Sequence, residues 1–381
     1  MFLRIVSAVF AIIFLVASSA QAFETNARNA MVVDLNTGMI LLSKNVDTAY
    51  PPASMSKLMT LNMVFEALED GRITMDETFR VSAEASQKGG SKMFVREGER
   101  VSIEDLIRGV IIQSGNDACI VLAEGLAGTE AEFAKRMTIR AQELGMANSN
   151  FVNATGWPDP GQEMSAEDLV YLAIRLITVF PEYYTYFSET SFTWDGIVQE
   201  NRNPLLSMDI GADGLKTGHT EEAGYGMVGS VEQDGRRIVF MFGGLQSASA
   251  RAQEAERIAR WAFRDFAMKT LFEADQEIDT ASVWLGENEQ VGMALQQDIN
   301  LLLPLESMDE ITAEYNFTDP VEAPVKAGQT MGELVIHIPD MDELRYPLVA
   351  MSDVEPGGFL DRLSAATDIM LRKIRSYTSG T

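Results

Sequence analysis

The stretch Pro51-Pro52-Ala53-Ser54-Met55-Ser56-Lys57-Leu58-Met59-Thr60 decides how the rest of this chain is read. Its two prolines end an extended approach, and a pattern rich in helix formers begins just after them. Apolar residues then recur at Leu58, Leu61, Met63, Val64, Phe65 and Leu68, the spacing of a largely buried helix. Ser54 is therefore expected in the first helical turn, with Lys57 three residues on along the same face and within reach of it. A serine hydroxyl is a poor nucleophile until a base takes its proton, and an amine can be that base if burial or a second cation lowers its pKa. A helix N-terminus adds free N–H groups and a positive dipole end beside the reacting oxygen. The plain alternative is a helix-start serine with a solvated lysine. Because Ser-x-x-Lys arises about once by chance in a chain of this length, the pattern needs company elsewhere.

The whole chain sets the bounds. The first 22 of its 381 residues read as a signal peptide: Arg4 supplies a short basic region, residues 9 to 17 an apolar core, and Ala20-Gln21-Ala22 a small-residue cleavage site. That apolar run is too short for a comfortable membrane span, so export with cleavage after Ala22 is expected. The remainder is long enough for two domains. The only cysteine, Cys119, sits in the apolar run Cys119-Ile120-Val121-Leu122-Ala123 and reads as a small buried residue; no disulfide can form within the chain. Two histidines, His219 and His337, are too few for a histidine-rich metal site, and neither stands near an evident Ser-His-Asp grouping. With 56 acidic against 30 basic residues the formal charge is −26, which argues against a nucleic-acid partner.

Read in order, residues 29 to 44 form a β-hairpin around Asn36-Thr37-Gly38. Residues 81 to 100, with Lys88-Gly89-Gly90-Ser91-Lys92, read as a surface loop able to border a cleft. Ser102 with Asp105 and Ser165 with Asp168 are helix-start signals, and helices are expected near 117–126, 129–144 and 249–269. Residues 153 to 164 are rich in turn formers, and residues 190 to 198 and 226 to 243 are strand-like. After Leu271 short apolar runs alternate with turn residues, the texture of a small all-β domain over 272–355. The last segment, 356–381, follows Pro356-Gly357-Gly358. Phe359, Leu360, Leu363, Ala366, Met370, Leu371, Ile374 and Tyr377 share one helical face, and four bases, Arg362, Arg372, Lys373 and Arg375, stand opposite with two acids, Asp361 and Asp368. A basic amphipathic helix at the end of so acidic a chain is expected at a membrane surface, or packed on protein.

Ser54-x-x-Lys57 has two companions: Ser114-Gly115-Asn116 in a polar turn between helices, and Lys216-Thr217-Gly218 between strand-like segments. The three in this order are nearly the set Ser-x-x-Lys, Ser-Asp-Asn and Lys-Thr-Gly of class A β-lactamases and penicillin-binding proteins. On these motifs the chain resembles the low-molecular-mass penicillin-binding proteins of the serine D-alanyl-D-alanine carboxypeptidase family. The neighbourhoods Ile107-Arg108-Gly109, Gln113 through Cys119, and Gly214 through Thr220 with Ala223-Gly224-Tyr225 carry the resemblance further. It implies an α/β catalytic domain over 23–271, an antiparallel sheet flanked by helices with the site at the sheet edge, followed by the β-rich domain and the terminal helix.

The resemblance also implies roles. Ser54 attacks the penultimate D-alanine carbonyl of a cell-wall pentapeptide, Lys57 takes its proton, Ser114 relays a proton to the departing amine, and Asn116 orients the peptide and Lys57. Lys216 is a second cation facing the substrate carboxylate, Thr217 and Gly218 lie on the same strand, and the backbone N–H groups of Ser54 and His219 form the oxyanion hole. Arg251 aligns with an arginine near the carboxylate subsite, with one residue of spacing different. Trp157, in Gly156-Trp157-Pro158, stands where a smaller apolar residue is expected, and Glu163-Met164 also departs from the family's wording. The implied partners are peptidoglycan stem peptides ending in D-Ala-D-Ala, β-lactams as covalent inhibitors, and the outer face of the cytoplasmic membrane through residues 359–377. No metal or organic cofactor is implied. Three alternatives use the same pocket. Against a class A β-lactamase, no Glu between Ser114 and Lys216 has Asn four residues on, and Gly115 replaces that class's Asp. A transpeptidase stays open, and a non-catalytic wall-binding protein would be expected to lack Ser54 or Lys57.

Overall fold

The computed structural model describes residues 23–339 and 343–358; the expected signal peptide and terminal helix lie outside them. At the centre is an antiparallel five-stranded sheet made of β1 (Asn29–Asp34), β2 (Ile40–Lys44), β3 (Ala212–Thr220), β4 (Gly224–Gln233) and β5 (Arg236–Leu245), in the order β2-β1-β5-β4-β3. The expected hairpin at 29–44 forms β1 and β2, and the strand-like stretch 226–243 is two strands broken at Asp234-Gly235. Both turn residues have positive φ, the geometry that a two-residue hairpin turn needs.

Every residue of β1 is buried, because the sheet is covered on both faces. Side chains alternate across a strand, so Met31 and Val33 join one core and Ala30 and Val32 the other. The first core holds the helices α1 (Lys57–Glu69), α2 (Ile103–Ile111), α3 (Asn116–Ala127), α4 (Glu130–Glu143) and α5 (Ala166–Val179). The second packs α6 (Ala248–Arg264) through Ala255, Ile258, Ala259 and Ala262 against Phe240 and Phe242. Helix α3 is buried along its first eight residues, Asn116 to Ala123, and Cys119 is among them, as its apolar run suggested. The Ser102 and Ser165 hydroxyls accept from the N–H groups of Asp105 and Asp168, capping α2 and α5 as read.

Two elements differ from the sequence reading. Ser54 lies in a short 3-10 turn, Ala53–Ser56, and α1 proper begins at Lys57. Ala53, with φ at +49°, bends the chain just ahead of the serine, so no helix continues from Ser54 into Pro51-Pro52. Helix α6 ends at Arg264 rather than near 269, since Phe266–Phe272 pairs as strand β6 with β9 (Ile299–Pro304) of the second unit. That unit has its own core and a six-stranded sheet of β10 (Thr312–Phe317), β12 (Thr330–His337), β13 (Leu344–Ala350), β8 (Gln290–Ala294), β7 (Asp279–Trp284) and β11 (Val321–Glu322), in that order. It is the β-rich domain expected after the catalytic one, entered at Phe266 rather than after Leu271.

Candidate active site

Three segments meet where the sheet edge β3 runs past the Ser54 turn. The approach is close: a Cβ on Gly218 would stand 3.0 Å from both the Pro52 carbonyl oxygen and the Met55 side chain, so the strand needs glycine there. Lys57 is fully buried at the start of α1, and its Nζ has three partners. It donates to Ser54 Oγ at 2.9 Å, to Asn116 Oδ1 at 2.8 Å, and to the Thr155 carbonyl oxygen at 2.5 Å. The Asn116 amide is oriented by its other end, since Nδ2 donates to the Gly89 carbonyl at 2.9 Å.

This arrangement aims a proton acceptor. A neutral amine keeps two N–H donors and one lone pair. The Asn116 and Thr155 oxygens can only accept, so they take the two N–H groups and leave the lone pair to Ser54 Oγ, the one partner with a proton to give. Burial makes the neutral form accessible. It pulls the Lys57 pKa down to about 8, and the field of Arg202 adds to this, opposed by Cys119, Glu130 and Asp117. Lys216, buried on β3, is lowered well below the ordinary lysine value by burial first, then by Lys57 and Arg202.

Ser114 joins α2 to α3 with φ at +58°, uncommon for a residue with a side chain. Its Oγ is buried and has no hydrogen-bond partner among the described residues. Asp117, in the first turn of α3, fixes the neighbouring wall by accepting from the N–H groups of Met93, Phe94 and Val95. The 81–100 segment does border the cleft, through Gly89 and through Ser91, whose Oγ accepts from Arg202 at 2.6 Å.

Lys216 thus feels the fields of three other basic groups, Lys57, Arg202 and Arg251, and Arg202 acts on Lys57 and Arg251 as well. Arg251, in the first turns of α6, stands 5.8 Å over the Tyr225 ring, and its buried Nε has no partner among the described residues. His219 is exposed and stacks on Tyr225 at 3.8 Å. Burial lowers the pKa of both arginines. Such a cluster, whose hydrogen bonds among the described residues include no carboxylate, suits an anionic group brought by a ligand. Arg202 escaped the sequence reading because it belongs to no motif, and the Thr155 carbonyl because a backbone atom leaves no residue-type signal.

A family model for D-alanyl-D-alanine carboxypeptidases matches residues 16–243. The chain belongs to that family. A second model, for the C-terminal domain of penicillin-binding protein 5, matches residues 266–356. Among curated relatives of this carboxypeptidase family, the D-alanyl-D-alanine carboxypeptidase DacD of Escherichia coli K12 is 36% identical over 354 residues, 91% of each chain. Among solved structures, the carboxypeptidase DacD of Francisella tularensis superposes with a TM-score of 0.75 at 30% identity, covering 92% of this chain and 97% of that one. Penicillin-binding protein D2 of Listeria monocytogenes, solved in an ampicillin-bound form, gives 0.58 at 32% identity, covering 64% of this chain and 99% of that one. Within this carboxypeptidase-family chain, Trp157 is the departure nearest the site: its ring is exposed at the rim, 5.7 Å from Lys88 Nζ and packed on Gly89 and Gly90.

Proposed function

We propose that the protein removes the terminal D-alanine from peptidoglycan pentapeptides through an acyl-enzyme on Ser54. The observation that carries this reading is the buried Lys57 amine, held by two carbonyl acceptors with its third partner the Ser54 hydroxyl. Ser54 Oγ adds to the penultimate D-alanine carbonyl as its proton passes to Lys57. The tetrahedral oxyanion is received by the backbone N–H groups of Ser54 and His219, the latter on the sheet's edge strand. Collapse breaks the peptide bond, and a proton relayed through Ser114 leaves with the D-alanine amine. Water then attacks the acyl ester with Lys57 again as base. Lys216 and Thr217, with Arg251 and Arg202 behind them, hold the terminal carboxylate. Those positive groups in a chain of charge −26 concentrate the field where the anionic peptide end binds. β-Lactams acylate the same serine, because their strained amide presents its carbonyl to the same lysine-activated hydroxyl.

The work place is the periplasmic side of the cytoplasmic membrane, reached through the leader of residues 1–22 and held by the basic amphipathic segment at 359–377. No helix among the described residues is long and apolar enough to cross a membrane.

The test is release of free D-alanine from a peptide ending in D-Ala-D-Ala by the mature protein. Release that depends on Ser54 supports the reading. Acylation by penicillin without release, with transfer to an added amine instead, replaces it with a transpeptidase. A second expectation concerns pH. The reactive form of Lys57 is neutral, so the acylation rate rises with pH, about tenfold per unit well below the pKa near 8, and levels off above it. A rate that is flat from pH 6 to 9 would contradict Lys57 as the base.

A further inference from the structure

Asn153 is one of the most heavily engaged side chains near the site, and no catalytic motif contains it. Its Oδ1 accepts four hydrogen bonds: from the backbone N–H groups of Thr155 at 3.1 Å, Gly156 at 2.8 Å and Trp157 at 3.1 Å, and from the Thr155 hydroxyl at 3.0 Å. Its Nδ2 closes the turn by donating to the Trp157 carbonyl at 3.0 Å. The side chain is 7% exposed, so water does not compete freely for these partners. The residue between is held too. The Ala154 N–H donates to Glu130 Oε1 at 3.0 Å, and its carbonyl accepts from Thr60 Oγ1 of α1 at 2.7 Å.

The product of this winding is one acceptor turned away from the amide, into the buried interior. Curling three successive N–H groups inward onto a single amide oxygen turns the Thr155 carbonyl the other way, onto Lys57 Nζ. That carbonyl is one of the two oxygens that leave the Lys57 lone pair no direction but Ser54. We infer that Asn153 is a positioning residue for the general base: its amide sets the Thr155 carbonyl, and the carbonyl sets the lone pair of Lys57. The inference rests on the acyl-serine reading above. It adds a residue that touches neither substrate nor nucleophile, and it assigns the asparagine of Asn153-Ala154-Thr155-Gly156 a function that its place in a turn does not by itself require.

A turn residue that merely stabilised the fold would change how many molecules are active. A positioning residue changes how each molecule reacts, and at what pH. The ammonium form of Lys57 uses the Thr155 oxygen as an acceptor, so losing that oxygen disfavours the charged form and moves the acid limb of the acylation profile to lower pH. The charged and titratable groups around Lys57 are Cys119 and Asp117 on α3, Glu130 at the start of α4, Arg202 ahead of β3, and Lys216 on β3. None of them changes in the variants below.

The experiment is single-turnover acylation by an excess of fluorescent penicillin from pH 6 to 10, for the full chain and for Asn153→Ala and Asn153→Asp. The first-order rate constant counts only molecules able to react, so partial unfolding does not enter it. For Asn153→Ala the plateau rate is expected to fall about 10- to 100-fold, with the acid limb shifted to lower pH. Asn153→Asp keeps an acceptor for the three N–H groups, so its plateau should recover to within about fivefold of the parent, while the added carboxylate moves the limb to higher pH. If Asn153→Ala does not fold, the limb of Asn153→Asp alone decides. A parent-like rate and an unmoved limb in every variant that folds would overturn the inference. A parent protein that does not acylate would instead overturn the acyl-serine reading.

Discussion

Ser54→Ala is expected to abolish both D-alanine release and covalent penicillin binding, with the rate falling by about 10⁴-fold or more. Lys57→Met should lower acylation by about 10²- to 10⁴-fold, the range for loss of a positioned general base. Methionine fits the comparison because position 57 is wholly buried and the thioether occupies similar length without a charge. Removing a buried cation relieves desolvation, whereas Asn116 Oδ1 and the Thr155 carbonyl lose a donor. These effects oppose each other, so thermal stability should stay close to that of the parent, and the lost rate can be assigned to chemistry. Because nucleophile and base act as a unit, the double variant should be no slower than Ser54→Ala alone. Mass spectrometry for the penicillin adduct and a D-alanine assay read both effects. Acylation of Lys57→Met within tenfold of the parent would remove the lysine from the mechanism.

What the sequence made legible was local. Ser54 and Lys57 are three residues apart, and their contact at 2.9 Å survives the change from α-helix to 3-10 turn, since either geometry brings i and i+3 to one side. The caps at Ser102 and Ser165 were legible because a cap is decided by its own side chain and an N–H three residues on. The two-strand break at Asp234-Gly235 had a signal too, an Asp-Gly pair between apolar runs, which the sequence reading passed over. By contrast, α6 stops five residues early for a reason its own sequence does not carry: residues 266 to 272 find a distant strand partner in 299 to 304. Pairing at long range overrides local helix propensity.

The site divides the same way. Lys216 and Ser114 could be found as motif residues; both are buried, and Lys216 lies within the field of Lys57. The Thr155 oxygen belongs to a loop 98 residues from Lys57 and reaches the amine through backbone, to which residue-type patterns are blind. Arg202 sits just before the edge strand and acts through its field and its bond to Ser91. Both features complete the electrostatics that the motifs alone leave open: one orients the Lys57 amine, and the other lowers its pKa.

The second large effect is expected at Gly156. Its φ is +76°, and a Cβ there would stand 1.9 Å from the Ala53 carbonyl oxygen and 2.6 Å from Ser56 Oγ. Backbone leaves no room at the first of these contacts, so Gly156→Ala must separate the 153–157 turn from the turn that carries Ser54. That separation moves the Thr155 carbonyl off Lys57 and tilts the nucleophile, and acylation should fall by about 100-fold or more. Stability should fall as well, by about 1–3 kcal/mol, from overpacking and the left-handed conformation together. Gly161→Ala supplies the control within the same loop. Its φ is +90°, but the nearest atom to a new Cβ is 3.4 Å away, so it shares the conformational penalty without the collision. Urea denaturation should then show a smaller stability loss for Gly161→Ala, the backbone penalty alone, and only Gly156→Ala loses acylation. If both variants lost acylation equally, the effect would be general softening of the loop, and the contact between Gly156 and the Ser54 turn would not be what holds nucleophile and base in register.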